Sequence, residues 1–188
     1  MVEEGLSLIG DQMTEVLILG TFPSIQSRRI CYYNNPQNQF WKIMENLLDM
    51  PELIAASPQV RYAKLKQYRI GLWDVIAKCE FDKTSSADDK IKADSIVYND
   101  FTVLRKNFPL LKAIFFNSRN AQKFFKRYLK TFEDEALKLW LEDKTNHCEN
   151  VLPSTSSAHA RLCLDEKFQI WSQELGAYLV SSGKNREV

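Results

Sequence analysis

The chain of 188 residues is short of the groups that many enzymes carry openly, with two histidines and four cysteines. Cys31, Cys79, Cys148 and Cys163 lie 48, 69 and 15 residues apart, form no CxxC pair, and have no histidine spaced to complete a zinc site. Structural zinc and iron–sulfur ligation are thereby excluded, His147 beside Cys148 reads as a surface-loop pair, and no metal or cofactor is expected. There is no GxSxG elbow, no GxxxxGKS/T phosphate loop and no GxGxxG after the first strand. No apolar run approaches the ~18 residues of a membrane span, and the start, Met1-Val2-Glu3-Glu4, is acidic where a secretory signal is basic. A soluble, cytoplasmic protein of a reducing compartment is expected.

What is present is a globular composition, 45% apolar and 12% aromatic, of a length that suits one domain over 1–188 with a frayed tail from about 181. Lys plus Arg is 25 against 24 for Asp plus Glu, a net charge of +1 that by itself argues against a polyanionic partner. The acids, however, are unevenly placed. None occurs in 16–44, 53–73, 101–132 or 150–164, and these 97 residues hold 16 of the basic groups. If that half faces a polyanion, Lys64, Lys66, Lys123 and Arg127 are expected partly to share a face with the functional loops.

Val16–Leu19 is a short aliphatic run entering a turn at Gly20, and Ala113–Phe116 is a second buried strand. Asn150–Leu152 reads as a third, Ile70–Ala77 as a further strand-like run. Asn35-Pro36 supplies a cap and a proline for a helix to about Leu48, with Asn38 in its first turn; residues 21–35 are expected as loop. Further helices are expected from Ser57-Pro58 to Tyr68, over 98–107, 120–130 and 133–141, and from Asp165, where Phe168, Trp171, Leu175 and Leu179 make an apolar stripe. Buried strands alternating with helices predict a three-layer α/β/α sandwich around a short, mainly parallel central sheet.

Ligands of such sheets bind beyond the carboxyl ends of the strands. Three such ends are unusual here. Gly20-Thr21-Phe22-Pro23-Ser24 leads into Cys31-Tyr32-Tyr33-Asn34-Asn35-Pro36-Gln37-Asn38-Gln39-Phe40-Trp41, with four aromatics and three asparagines in one acid-free stretch. Aromatic faces stack on bases and amides read base edges, although a capped helix with core aromatics fits the same residues. Asn117 follows the second strand and reads either as a neutral amide at the mouth of the sheet or as a helix cap. Pro153-Ser154-Thr155-Ser156 offers hydroxyls and backbone amides for phosphates, or caps for the last helix. Asp74, in Gly71-Leu72-Trp73-Asp74-Val75, reads as a general base or as a loop organiser.

Taken in order, GTFPS at 20–24, YYNNPQNQFW at 32–41, GLWDV at 71–75, Asn99-Asp100-Phe101 before Phe115-Phe116-Asn117, and LPSTS at 152–156 resemble the uracil-DNA glycosylase superfamily, and within it the hypoxanthine-DNA (DNA-deoxyinosine) glycosylase branch. The resemblance implies a monofunctional, metal-free DNA glycosylase, acting as a monomer, that flips a deaminated base out of DNA and hydrolyses its N-glycosidic bond, hypoxanthine first and uracil second. It implies that Asn38 is the catalytic amide, because the first motif carries Phe22 where mismatch-specific relatives carry a water-positioning asparagine. It further implies a base pocket of Gly20, Thr21, Phe22, Pro23, Ser24, Tyr33, Phe40 and Asn117, with Phe40 stacked on the base and Asn117 on its edge. Pro153, Ser154, Thr155 and Ser156 would form the loop that probes the duplex.

The chain departs from the branch's pattern at Asn34 (often glycine), Gln37 (often arginine), Ser85 (the glycine of a GSLD-like stretch) and Ser157 (usually proline). The changes at 37 and 157 bear on DNA contacts rather than on the pocket. Two other functions stay open on the residues alone: a non-catalytic binder of damaged or mismatched DNA, and a hydrolase of free nucleosides.

Overall fold

A computed structural model describes residues 1–82 and 88–183. Ser85 and the tail 184–188 lie outside the described residues. At the centre β2 (Val16–Gly20) pairs in parallel with β3 (Ile70–Asp74) on one side and β6 (Ala113–Phe116) on the other. All three strands are buried throughout, as continuous aliphatic and aromatic runs require when helices cover both faces. Alternate residues feed two separate cores. Leu17, Leu19, Trp73, Ile114 and Phe116 pack with Phe101 and with Phe124, Phe125 and Tyr128 of α5 (Arg119–Leu129). Val16, Ile18, Ile70, Leu72 and Phe115 pack with Ile43 and Met44 of α2 (Phe40–Leu47), Leu65 of α3 (Pro58–Gln67), and Trp171 and Leu175 of α7 (Leu164–Gly183). The expected three-layer α/β/α sandwich is thus the observed one.

Several elements differ from expectation. The run 70–77 breaks at Val75: its N–H bonds Gly20 O at 2.9 Å, and the chain leaves the central sheet for β4 (Ile76–Cys79). There it joins β1 (Glu3–Glu4) and β5 (Val97–Tyr98) in a small antiparallel sheet. Asn150–Leu152 forms one parallel bridge, Phe116 to Val151, instead of a strand. The helix over 98–107 is replaced by β5, a 3₁₀ turn at Phe101–Val103 capped by Asp100, and the single turn α4 (Leu104–Asn107), which stops one residue short of Pro109's constrained neighbour, Phe108. The presumed loop after Gly20 holds α1 (Ile25–Arg29), whose N-cap Ser24 accepts from Ser27 N. Past α5, α6 (Glu135–Lys144) is capped by Asp134. Helix α7 remains helical past Ser181, through Gly183. Among the described residues no helix is long and apolar enough to cross a membrane.

β2 is the switch point of the sheet, because the chain leaves it for β3 on one side and later returns as β6 on the other. A crevice at the carboxyl end of β2 is the geometric result.

Candidate active site

That crevice is a cavity of about 1140 Å³, at or above the upper end of the usual ~300–1,000 Å³ for small-molecule pockets. Gly20 to Ser24, Tyr33, Asn38, Asn117 and Pro153 to Ser156 all line it. Segments far apart in sequence therefore converge because β2, β3 and β6 end together and Val151 bridges to Phe116 beside them.

Asn38 does not sit in the first turn of a helix. α2 begins at Phe40, and Asn35-Pro36-Gln37-Asn38 is a turn in which Asn35 Oδ1 accepts from Gln37 N at 2.9 Å and Asn35 O from Asn38 N at 2.8 Å. Asn-Pro opens turns as readily as helices, and here the asparagine side chain closes the turn. Asn38 Oδ1 then accepts from Phe40 N at 2.9 Å, which fixes the amide and leaves one lone pair and the NH₂ group for a ligand.

Phe40 is not in the pocket. It is 0% exposed and does not line the cavity. Tyr33 covers one face, stacked at 4.0 Å between centroids and 20° between planes, while Trp41 and Trp171 meet it edge-on. Of this stacked pair, Tyr33 is the one that lines the cavity. Helical spacing carried this information, since Phe40, Ile43, Met44 and Leu47 fall at i, i+3, i+4 and i+7 and so mark a core face. Tyr33 has φ of 56°, a left-handed conformation that costs a bulky residue about 1–3 kcal/mol and concentrates at functional sites.

Asn117 and Thr155 form a reciprocal pair. Asn117 Nδ2 donates to Thr155 Oγ1 at 2.9 Å, and Thr155 N donates to Asn117 Oδ1 at 3.0 Å. Thr155 is fully buried, so it anchors the third loop and does not probe a duplex; Ser154 and Ser156 are half-buried and Ser157 is exposed. Thr155 O also accepts from Gln39 N at 2.9 Å. Sequence reasoning missed the cation that completes this link: the buried Lys167 of α7 donates to Gln39 Oε1 at 2.8 Å and to His159 O at 2.9 Å. Trp171 Nε1 adds a bond to Pro153 O at 3.0 Å.

Ser24 and Pro23 are held by α1, Arg28 donating to Pro23 O at 2.9 Å and lying over the Phe22 ring. Phe22 itself turns toward Phe81, with centroids 5.7 Å apart. Thr21 Oγ1 meets Ser118 Oγ, the cap of α5, at 3.4 Å.

Asp74 lines the same cavity and is 3% exposed. Its Oδ2 is buried without a hydrogen-bond partner among the described residues, and the Tyr33 hydroxyl beside it faces the Asn117 side chain. Burial pushes the Asp74 carboxyl up to about 8, and the charge of Asp88 adds to the effect. Burial likewise raises the Tyr33 hydroxyl, reinforced by Asp74. Burial thus favours the protonated, hydrogen-bond-donating form of Asp74.

The cationic side chains that line the cavity are Arg119 and Arg161. Lys123 and Arg127 lie four and eight residues farther along α5, roughly 6 and 12 Å from Arg119 at 1.5 Å per residue. Lys64 lines a separate recess with Asp49 and Leu53. Spaced four residues apart, Lys123 and Arg127 continue the face of α5 that Arg119 begins at the cavity, while Lys64 lies at the separate recess.

The site is a strand-end cavity of a parallel α/β domain, lined by amides, hydroxyls and an acid whose buried oxygen has no partner among the described residues. The chain belongs to the Uracil DNA glycosylase superfamily, whose sequence pattern matches residues 8–175. A hypoxanthine DNA glycosylase of Methanosarcina acetivorans is 36% identical over 167 residues, 86% of this chain and 90% of that one. Another protein of that name, from Methanosarcina barkeri, is 33% identical over 66% of this chain and 76% of its own. The solution NMR structure of a candidate uracil DNA glycosylase from M. acetivorans superposes with a TM-score of 0.68 at 30% identity, covering 96% of this chain and 98% of that one.

Proposed function

We propose that this protein is a monofunctional DNA glycosylase that removes a deaminated base, hypoxanthine above uracil, from DNA. The observation that carries the reading is the convergence of Asn38, Tyr33 and the 153–156 loop on one strand-end cavity. A base flipped into it would lie against the Tyr33 ring, near the amides of Asn38 and Asn117.

The C1′–N bond breaks with positive charge on the sugar and negative charge on the leaving base, so the enzyme has to place a water at C1′ and stabilise the base. Asn38 Oδ1, already oriented by the Phe40 N–H, has a lone pair to accept a water proton. Asn117, held by Thr155, keeps a lone pair of its amide oxygen for the base edge. Ser154, Ser156 and Ser157 carry hydroxyls to the rim, where flanking phosphates would lie.

The test is single-turnover release of base from a duplex with one deoxyinosine, read as alkali-labile abasic sites, in wild type and Asn38→Ala. Removing one oriented polar group of this kind costs roughly 10²-fold in rate. Equal rates would remove Asn38 from the chemistry. Salt-dependent binding of the inosine duplex without any abasic product would select the non-catalytic binder instead.

A further inference from the structure

The first motif of this chain carries no acid, yet two acids, Asp74 and Asp88, line the cavity. Gly20 and Asp74 are register partners on adjacent parallel strands, so the carboxyl of Asp74 stands beside the first-motif loop. A methyl group at Gly20 would lie 2.3 Å from Asp74 Oδ1 and 3.3 Å from the Tyr33 hydroxyl; only the absence of a side chain at 20 makes room for the acid. The main chain at 74 is fixed on both sides: Val75 N donates to Gly20 O at 2.9 Å and Asn99 Nδ2 to Asp74 O at 2.8 Å. What is left free is Oδ2, buried and unpartnered among the described residues. A buried acid without a partner costs stability, and such an arrangement inside a ligand cavity points to a ligand that completes it.

We propose that Asp74 is a catalytic acid which, in its neutral form, donates a proton to N7 of the flipped purine as the glycosidic bond breaks. The proposal rests on the glycosylase reading above. Hypoxanthine has N3 and N7 as basic ring nitrogens free of hydrogen, of which N7 is the more basic and the farther from the sugar. Uracil has only carbonyl oxygens to offer. The C1′–N9 electron pair passes into the imidazole ring, the Asp74 proton binds N7, and hypoxanthine leaves as a neutral molecule. Water adds its oxygen to C1′ and gives up one proton, which restores the Asp74 acid, so that water alone is consumed.

Burial keeps Asp74 neutral, and the negative charge of Asp88, which also lines the cavity, adds to it. Tyr32, Tyr33 and Tyr62, whose hydroxyls are raised by burial, are the other titratable side chains coupled to it. Arg119, His159 and Arg161 line the same cavity.

The experiment compares deoxyinosine with 7-deazadeoxyinosine, which has carbon in place of N7, in otherwise identical duplexes, for wild type and Asp74→Asn across pH 5.5 to 9.5 (a range of about 4 units centred near neutrality). Wild type is expected to cut deoxyinosine about 10²-fold or more faster than the deaza analogue, with a rate that falls above roughly pH 8, and Asp74→Asn to lose about 10²-fold on deoxyinosine and the alkaline fall with it. Binding of a duplex carrying non-hydrolysable 2′-fluorodeoxyinosine should stay within about three-fold in the variant. Similar wild-type rates on the two bases overturn the proposal without any variant. So does an Asp74→Asn enzyme that keeps the wild-type rate or its alkaline fall, or one that loses duplex binding along with activity. A wild type that releases no base from any duplex refutes the glycosylase reading itself, and Asp74's role goes with it.

Discussion

Asp74→Asn has a consequence for folding that is separate from its effect on rate. In the unfolded chain an aspartate titrates near 4. In the fold burial holds the same carboxyl at about 8. Between those pH values the unfolded chain has lost a proton that the folded chain keeps, so the unfolded state binds fewer protons and stability falls as pH rises. The gap of about four units, at 1.36 kcal/mol each, sets a ceiling of about 5 kcal/mol between pH 4 and 8, lowered by whatever water reaches the carboxyl. Asparagine has no such ionisation. Its own cost, about 1–3 kcal/mol for an imperfectly bonded amide, is the same at every pH. Urea unfolding of both proteins at pH 4, 5, 6, 7 and 8 (a span of about 4 units) therefore isolates the term: the difference in unfolding free energy should move in favour of the variant by several kcal/mol as pH rises. Curves that stay parallel within about 1 kcal/mol would mean that Asp74 is charged and solvated in the fold, and the argument for a neutral acid would end there.

Glu15 behaves in the opposite sense. Burial alone would raise its carboxyl, but Lys112, at 2.6 Å, and Arg69 outweigh burial and hold it below the usual value. Its contribution is present above the ordinary carboxylate pKa and lost as pH falls, so Glu15→Gln should cost about 3 kcal/mol at pH 7 and progressively less below about pH 4.5, measured by chemical unfolding. Thr155→Val removes the acceptor of Asn117 Nδ2 at constant shape and should lower stability by about 1–2 kcal/mol while slowing base release more than it weakens duplex binding, read by single-turnover rates beside a binding isotherm. Neutralising Arg119 or Arg161 to glutamine should each lower the salt slope of duplex binding by about one unit, and Lys123→Gln with Arg127→Gln, farther along the same face of α5, should lower it by less.

The layers of this fold were legible because the strands are uninterrupted apolar runs and α7 carries its stripe at helical spacing. The segment 35–40 was not, since Asn-Pro serves turns and helix starts alike, and the choice was made by Asn35 bonding within its own turn. Tyr33 and Phe40 were both legible as aromatics beside the pocket, but which of them faces it depended on where α2 begins. Asp74 stood out in sequence as a lone acid. Its pairing with Gly20 is a matter of strand register between segments more than fifty residues apart, which no local pattern reports. Lys167 lay beyond sequence reasoning altogether, because a lysine in an acidic helical turn reads as exposed until Gln39 and His159 are placed against it.

The bonds that run from Asn117 through Thr155 and Gln39 to Lys167 set the terms on which this protein meets a long polymer. Loops that order only upon contact surrender conformational entropy at every encounter, productive or not. Here that entropy is already gone before any encounter, so sampling an undamaged stretch requires little rearrangement of these loops. A chain with a net charge of +1 has weak general attraction to hold it on nucleic acid. A prefastened rim suits that condition, because brief contacts suffice when nothing has to be assembled during them.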